Sequence, residues 1–136
     1  MSSSQEDCIF CNKTNCKVVS ETKNFFIIRD TAYPVTKHHT LIISNRHVAD
    51  FFDLTKNEMN DLDEILKNQK EKLKKIDKEI SGFNVGVNIG RDAGQSIMHC
   101  HIHLIPRRKG DVKDPRGGVR GVIPSKQKYK KINILH

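Results

Sequence analysis

Apolar residues along this chain gather in short clusters separated by polar stretches that proline and glycine punctuate. Residues 25–30, opening on Phe25, Phe26, Ile27 and Ile28, make an apolar run of strand length. Tyr33-Pro34 then marks a turn, and Thr40-Leu41-Ile42-Ile43 is a second β-rich run that Ser44-Asn45 closes. The period changes at Thr55. Thr55 and Glu58 stand in the S/T-x-x-E spacing of a capping box, which predicts a helix start. Met59, Leu62, Ile65, Leu66, Leu73, Ile76 and Ile80 follow at mostly helical spacing, and Ser81-Gly82 is the expected stop. The lysines of residues 67–78 read as the helix's solvated face.

Beyond the helix, residues 83–89 predict a glycine-interrupted strand and residues 90–94 a turn. Residues 99–105 predict another strand, halted by Pro106. From residue 107 to 136 the chain carries Pro115, Gly117, Gly118, Gly121 and Pro124 among many cations, and an irregular tail is expected. Residues 1–7 read as a disordered lead-in, and residues 8–136 as one domain without repeat or dividing linker. Strands mixed with one long helix and short connections predict an antiparallel sheet packed by helices, an α+β class.

Composition changes the picture in two ways. Lys and Arg total 24 against 16 Asp and Glu, a net charge of +8, which suits an anionic partner. With only 6% aromatic residues there is little material for stacking bases, which disfavours a long nucleic acid as the main ligand. No apolar stretch reaches membrane-spanning length, and the polar start lacks the features of a secretory signal, so a cytoplasmic location is expected. A disulfide framework is then not expected of Cys8, Cys11, Cys16 and Cys100. The Cys8-x-x-Cys11 pair can clamp a zinc ion with two further N or S ligands; a redox pair or two unligated thiols are the other readings. Spacing alone leaves Cys16 and seven histidines competing for the other two positions.

The densest chemistry lies in His99-Cys100-His101-Ile102-His103. On a strand, alternate side chains share a face, so the three histidines would stand ~6.6 Å apart on one side, from a rise of ~3.3 Å per residue. Cys100, Ile102 and Leu104 would face the core. Three imidazoles packed together serve stability poorly, and two uses justify them: metal coordination or catalysis. Neutral imidazole is a competent nucleophile toward phosphorus. Just upstream, Asn88, Gln95 and Ser96 offer amide and hydroxyl donors for a developing phosphoryl charge, and Gly94 permits close backbone approach.

The run from Asn88 through Gly90, Gly94-Gln95-Ser96 and the three histidines to Arg107 resembles the signature of the histidine triad (HIT) superfamily. Residues 34–43 and Cys8-Ile9-Phe10-Cys11 are similar to the same family, and the tail of residues 110–124 is similar to members called dinucleoside polyphosphate hydrolases. The resemblance implies a five-stranded antiparallel sheet with two helices, paired into a homodimer through a continuous sheet. It implies that His101 attacks an α-phosphorus and carries the nucleotidyl group until water releases it. It assigns His103 to phosphate oxygens, His39 to the same pocket, Gln95 and Ser96 to the α-phosphate and leaving group, Asn88 to the phosphate or ribose side, and Asp30 to the ribose hydroxyls. The family often has glycine where His38 stands, so His38 is the competitor of His39 for the pocket. The zinc-bearing branch implies a structural zinc on Cys8, Cys11, His47 and His99, leaving Cys16 and Cys100 as free thiols.

The expected activity is hydrolysis of a phosphoanhydride at the α-phosphate of dinucleoside polyphosphates or related adenylyl compounds. A phosphoramidase or a phosphorylase would use the same site. A non-catalytic zinc protein that binds nucleotides through its basic tail is the alternative from another class, but it gives no reason for three aligned histidines.

Overall fold

A computed structural model describes residues 7–129. Five strands, β1 (Val18–Glu21), β2 (Phe25–Arg29), β3 (Thr40–Ser44), β4 (Ile80–Gly86) and β5 (His101–Arg108), form one sheet. The spatial order is β1-β2-β3-β5-β4, and every neighbouring pair is antiparallel. Helix α1 (Lys56–Ile76) is inserted between β3 and β4. The α+β class and the five-stranded sheet are as expected. Among the described residues there is one α-helix, not two. The stretches flanking β1 to β3 instead hold three-residue 3₁₀ turns, Lys13–Asn15 and Phe51–Asp53, each ended by a residue in extended conformation.

The two apolar runs became β2 and β3, paired over their whole length from Phe25 opposite Ser44 to Arg29 opposite Thr40. At the helix start both halves of the capping box are present: the Glu58 N–H donates to Thr55 Oγ1 (3.1 Å), and the Thr55 N–H donates to Glu58 Oε1 (2.8 Å). The helix stops earlier than its periodicity suggested. Asp77 leaves the helical conformation, its carboxylate accepting from the Glu79 N–H and pairing with Arg108 at 2.8 Å. A short acidic side chain that bonds its own downstream backbone competes with the next helical turn. Ile80 therefore opens β4 instead of closing α1, and β4 begins three residues before the expected start.

β5 was expected to end before Pro106 and runs through it to Arg108. Pro106 stands opposite Phe83 of β4, with its carbonyl turned to the other side, where it accepts from Thr36 Oγ1 (2.7 Å). The N–H that proline lacks would have pointed the same way, so no bond of the β4 ladder is lost.

The sheet's two faces are different. One packs Phe25, Ile27, Ile42, Cys100 and Ile102 against Leu54, Leu62 and Ile65, with Leu104 meeting Leu73 and Ile80 at the far end of α1. The expected inward face of β5 is thus correct. The other face carries Phe26, Leu41 and Ile43 beneath Cys8 and Phe10 of the N-terminal segment, and it holds the histidines. No helix of the described residues is long and apolar enough to cross a membrane. The lead-in of residues 1–6 and the last part of the tail, 130–136, lie outside the described residues.

Candidate metal centre and histidine site

His99 precedes β5 and is fully buried. Its Nε2 lies 2.6 Å from the Ser44 carbonyl oxygen, which can only accept, so Nε2 carries the proton and Nδ1 presents a bare lone pair. That lone pair faces Cys8 Sγ at 3.3 Å, Cys11 Sγ at 3.5 Å and His47 Nδ1 at 3.1 Å. Cys11 Sγ is 3.0 Å from His47 Nδ1, and the four donor atoms all lie within 4.8 Å of one another. A tight turn, with the Cys11 N–H on the Cys8 carbonyl at 3.1 Å, swings both sulfurs to one side. In a tetrahedral zinc site with bonds of about 2.3 Å to sulfur and 2.0 Å to nitrogen, donor atoms stand roughly 3.3–3.8 Å apart. The four groups fit such an ion: soft thiolates, neutral imidazoles and no position left open. Burial and the neighbouring Cys8 push the Cys11 thiol up to about 11, so a cation is what would make Cys11 ionise at neutral pH. The other two cysteines are elsewhere. Cys16 Sγ lies within weak hydrogen-bonding reach of the Ile9 and Asn12 carbonyls and packs beside the apolar cluster of Cys8 and Phe10, and Cys100 sits on the helix-facing side, where burial raises its thiol to about 12.

His101 has the opposite tautomer. Its Nδ1 is 2.8 Å from the His99 carbonyl, an obligate acceptor, so Nδ1 holds the proton and Nε2 is free to act. Phe10 lies edge-on to both rings, 5.9 Å from His99 and 5.2 Å from His101 between centroids. Burial lowers the pKa of His101, which keeps the ring neutral. His103 follows at 5.3 Å between centroids, and burial together with the neighbouring His101 and His39 brings its pKa down to about 4.

The third imidazole is set by a chain of donors. The Val35 N–H donates to His39 Nδ1 (3.0 Å), so His39 Nε2 carries a proton and donates it to His103 Nδ1 (2.9 Å). His103 is left with Nε2–H as a donor. Between His38 and His39 the backbone decides. His38 has φ +71°, the left-handed conformation that glycine tolerates best, while His39 is buried against His103. His38 thus keeps a backbone shape that glycine favours, the turn is not shifted, and His39 rather than His38 stands against His103.

Asp30 Oδ1 accepts from the Ala32 and Tyr33 N–H groups, both at 3.1 Å, and Oδ2 lies 3.8 Å from His39 Nδ1. Gln95 is buried with both ends of its amide on main chain: Oε1 accepts from the Gly90 N–H (2.9 Å), and Nε2 donates to the Ala49 carbonyl (2.9 Å). Its side chain fixes the loop that leads into His99. Ser96 next to it is exposed, and Asn88 is half-buried beside Gly94. Sequence reading overlooked Phe10, the Val35 N–H and the carbonyls of Ser44 and His99. Backbone groups carry no residue signature, and Phe10 was visible only as the apolar residue inside Cys8-x-x-Cys11.

A HIT domain profile matches residues 12–110. The chain belongs to the HIT family. An uncharacterized HIT-like protein of Methanocaldococcus jannaschii is 36% identical over 108 residues, covering 76% of this chain and 81% of that one. A bis(5'-nucleosyl)-tetraphosphatase (asymmetrical) of Schizosaccharomyces pombe is 36% identical over 81 residues, 60% of this HIT chain and 44% of that enzyme. Among solved structures, a zinc-bound histidine triad family protein of Mycobacterium smegmatis superposes with a TM-score of 0.71 at 27% identity, covering 82% of each chain.

Proposed function

We propose that this protein is a nucleotidyl hydrolase that cleaves a phosphoanhydride at the α-phosphate of a dinucleoside polyphosphate or related adenylyl compound, with a structural zinc on Cys8, Cys11, His47 and His99. The observation that carries the reading is the His101 Nδ1–H held on the His99 carbonyl at 2.8 Å, which leaves a neutral, buried Nε2 as nucleophile. The Nε2 lone pair forms a bond to the α-phosphorus. The bond from that phosphorus to the bridging oxygen breaks, and its electron pair leaves with the nucleoside polyphosphate. Nδ1 keeps its proton, so the adduct is an N-phosphoryl imidazolium, a good leaving group. Water then attacks phosphorus, the P–N electron pair returns to Nε2, and a proton and the nucleoside monophosphate are released. His103 Nε2–H would donate to a non-bridging oxygen in both steps, held in that tautomer by His39. Ser96 and Asn88 would contact phosphate, Asp30 the ribose hydroxyls, and Gln95 would act by shaping the loop.

Bound zinc would tie the N-terminal segment to the start of β5 and hold Phe10 against His101. The tetraphosphatase relative supports the substrate class. The sheet's β4 edge, which pairs with no other strand among the described residues, suits the expected homodimer. The decisive experiment is rapid quenching with diadenosine tetraphosphate followed by mass spectrometry. The expected result is an adenylyl group on His101 at steady state; turnover with no histidine adduct at any time would overturn the mechanism.

A further inference from the structure

Within the stretch expected to be an irregular tail, residues 117–127 fold as a strap. Two 3₁₀ turns, Gly118–Val122 and Pro124–Lys126, stack back on each other. Arg120 donates to the carbonyls of Gln127 (3.2 Å) and Lys126 (2.9 Å). A Cβ at Gly117, which has φ +91°, would strike the Gln127 carbonyl, so that glycine is required, while one at Gly121 would displace only the end of the Gln127 side chain. The strap is anchored to the sheet through Arg107, which pairs with both oxygens of Asp111 (2.8 Å each) and with Asn84 Oδ1 (2.7 Å).

Between strap and sheet lies a cleft of about 760 Å³, within the range of small-molecule sites. Its floor continues the histidine row. His101, His103, Ile105 and Arg107 alternate onto one face of β5, and the last two line the cleft. On β4, Gly86 stands opposite His103, and a Cβ there would meet nothing within 4 Å, so no side chain from that position crowds the histidine end of the row. Val35, whose N–H sets the His39 tautomer, forms part of the opposite wall. The walls are largely apolar, yet Val119 is 60% and Val122 79% exposed. Of the charged groups lining it, Arg107 pairs with Asp111 and Lys128 with Asp114, while among the described residues Lys113 has no ion-pair partner, which leaves the lining with a net positive charge.

An apolar slot with a net positive lining, opening beside a phosphoryl-transfer centre, suits a nucleoside joined to phosphates. We infer that this cleft binds the second nucleoside of a dinucleoside polyphosphate, the half that leaves when His101 takes the first. The inference rests on the nucleotidyl-transfer reading above. The distance agrees: Ile105 is four residues beyond His101, ~13 Å at a strand rise of ~3.3 Å, a span that a tetraphosphate bridge covers.

The test compares diadenosine tetraphosphate with adenosine 5′-tetraphosphate, which has the same phosphates and no second nucleoside. The wild-type protein should prefer the two-ended compound by about tenfold or more in kcat/KM, as burial of one base allows. Val119→Asp with Val122→Asp should abolish that preference while leaving the one-ended rate unchanged. Should the double variant fail to fold, Val122→Ser alone carries the same test at a largely exposed position. Equal rates on the two compounds, or a preference surviving in the variant, would overturn the cleft assignment and leave the histidine chemistry standing. Turnover of neither compound by the wild-type protein would overturn both.

Discussion

His99 and His101 are the same residue two positions apart, and they carry their protons on opposite nitrogens. His99 gives Nε2–H to the Ser44 carbonyl and turns a bare Nδ1 toward two sulfurs and His47. His101 gives Nδ1–H to the His99 carbonyl and keeps a bare Nε2. Each carbonyl selects which lone pair is available, and therefore which chemistry the ring can do. One imidazole is set up to ligate a metal and the other, in the proposed mechanism, to attack phosphorus, with no difference in residue type. A strand that looks like three equal histidines is two sites back to back, sharing the His99 peptide.

The largest expected effect separates the two. His101→Ala should lower turnover by about 10³-fold or more while zinc content, read by elemental analysis, stays near one per chain. A variant that loses both would mean the sites are not separable. The next effect runs the other way. Cys8→Ser, or exhaustive chelation of the wild-type protein, should lower the melting temperature by roughly 10 °C or more, since metal binding contributes folding free energy. Turnover per folded molecule should fall far less than for His101→Ala. Comparable losses of turnover would make the metal part of the chemistry. Smaller again is His103→Ala, expected to reduce kcat by roughly 10²–10³-fold through loss of one phosphate donor, with zinc content unmoved.

Sequence and structure agree where a side chain alone specifies the outcome. The β2 and β3 runs, the Thr55–Glu58 box, the inward face of β5 and the Cys8-x-x-Cys11 clamp all follow from residue type and spacing. Although cysteine and histidine chemistry was legible, the pairing of Cys8 and Cys11 with His47 and His99 came through family resemblance, because those partners lie 36 to 91 positions apart. Disagreement appears where a distant partner decides. Asp77 ends α1 because Arg108 and the Glu79 N–H claim its carboxylate, and Pro106 stays in β5 because its missing donor faces away from β4. β1 went unseen since four residues at a sheet edge, two of them exposed, make no apolar run. The strap was hidden for a related reason: its glycines signal turns, and only Gln127 shows what they turn around.

The smallest expected effect is the pH response, and it sharpens the same comparison. His99, His101 and His103 all have pKa values lowered by burial, His103 to about 4, against an ordinary value near 6.5. A histidine whose folded pKa is depressed binds fewer protons folded than unfolded between those two values. Its contribution to stability is therefore complete above about pH 6.5 and is lost as pH falls toward 4. Turnover should be flat from pH 8 to about pH 6.5 and decline below the free-imidazole range, because Nε2 of His101 stays unprotonated there. In the His103→Ala variant the like-charge neighbour is gone, so its stability should fall less steeply over the same acid interval. Thermal melts between pH 4 and 7 measure this directly, and equal slopes for the two proteins would show that His103 does not titrate as its surroundings require.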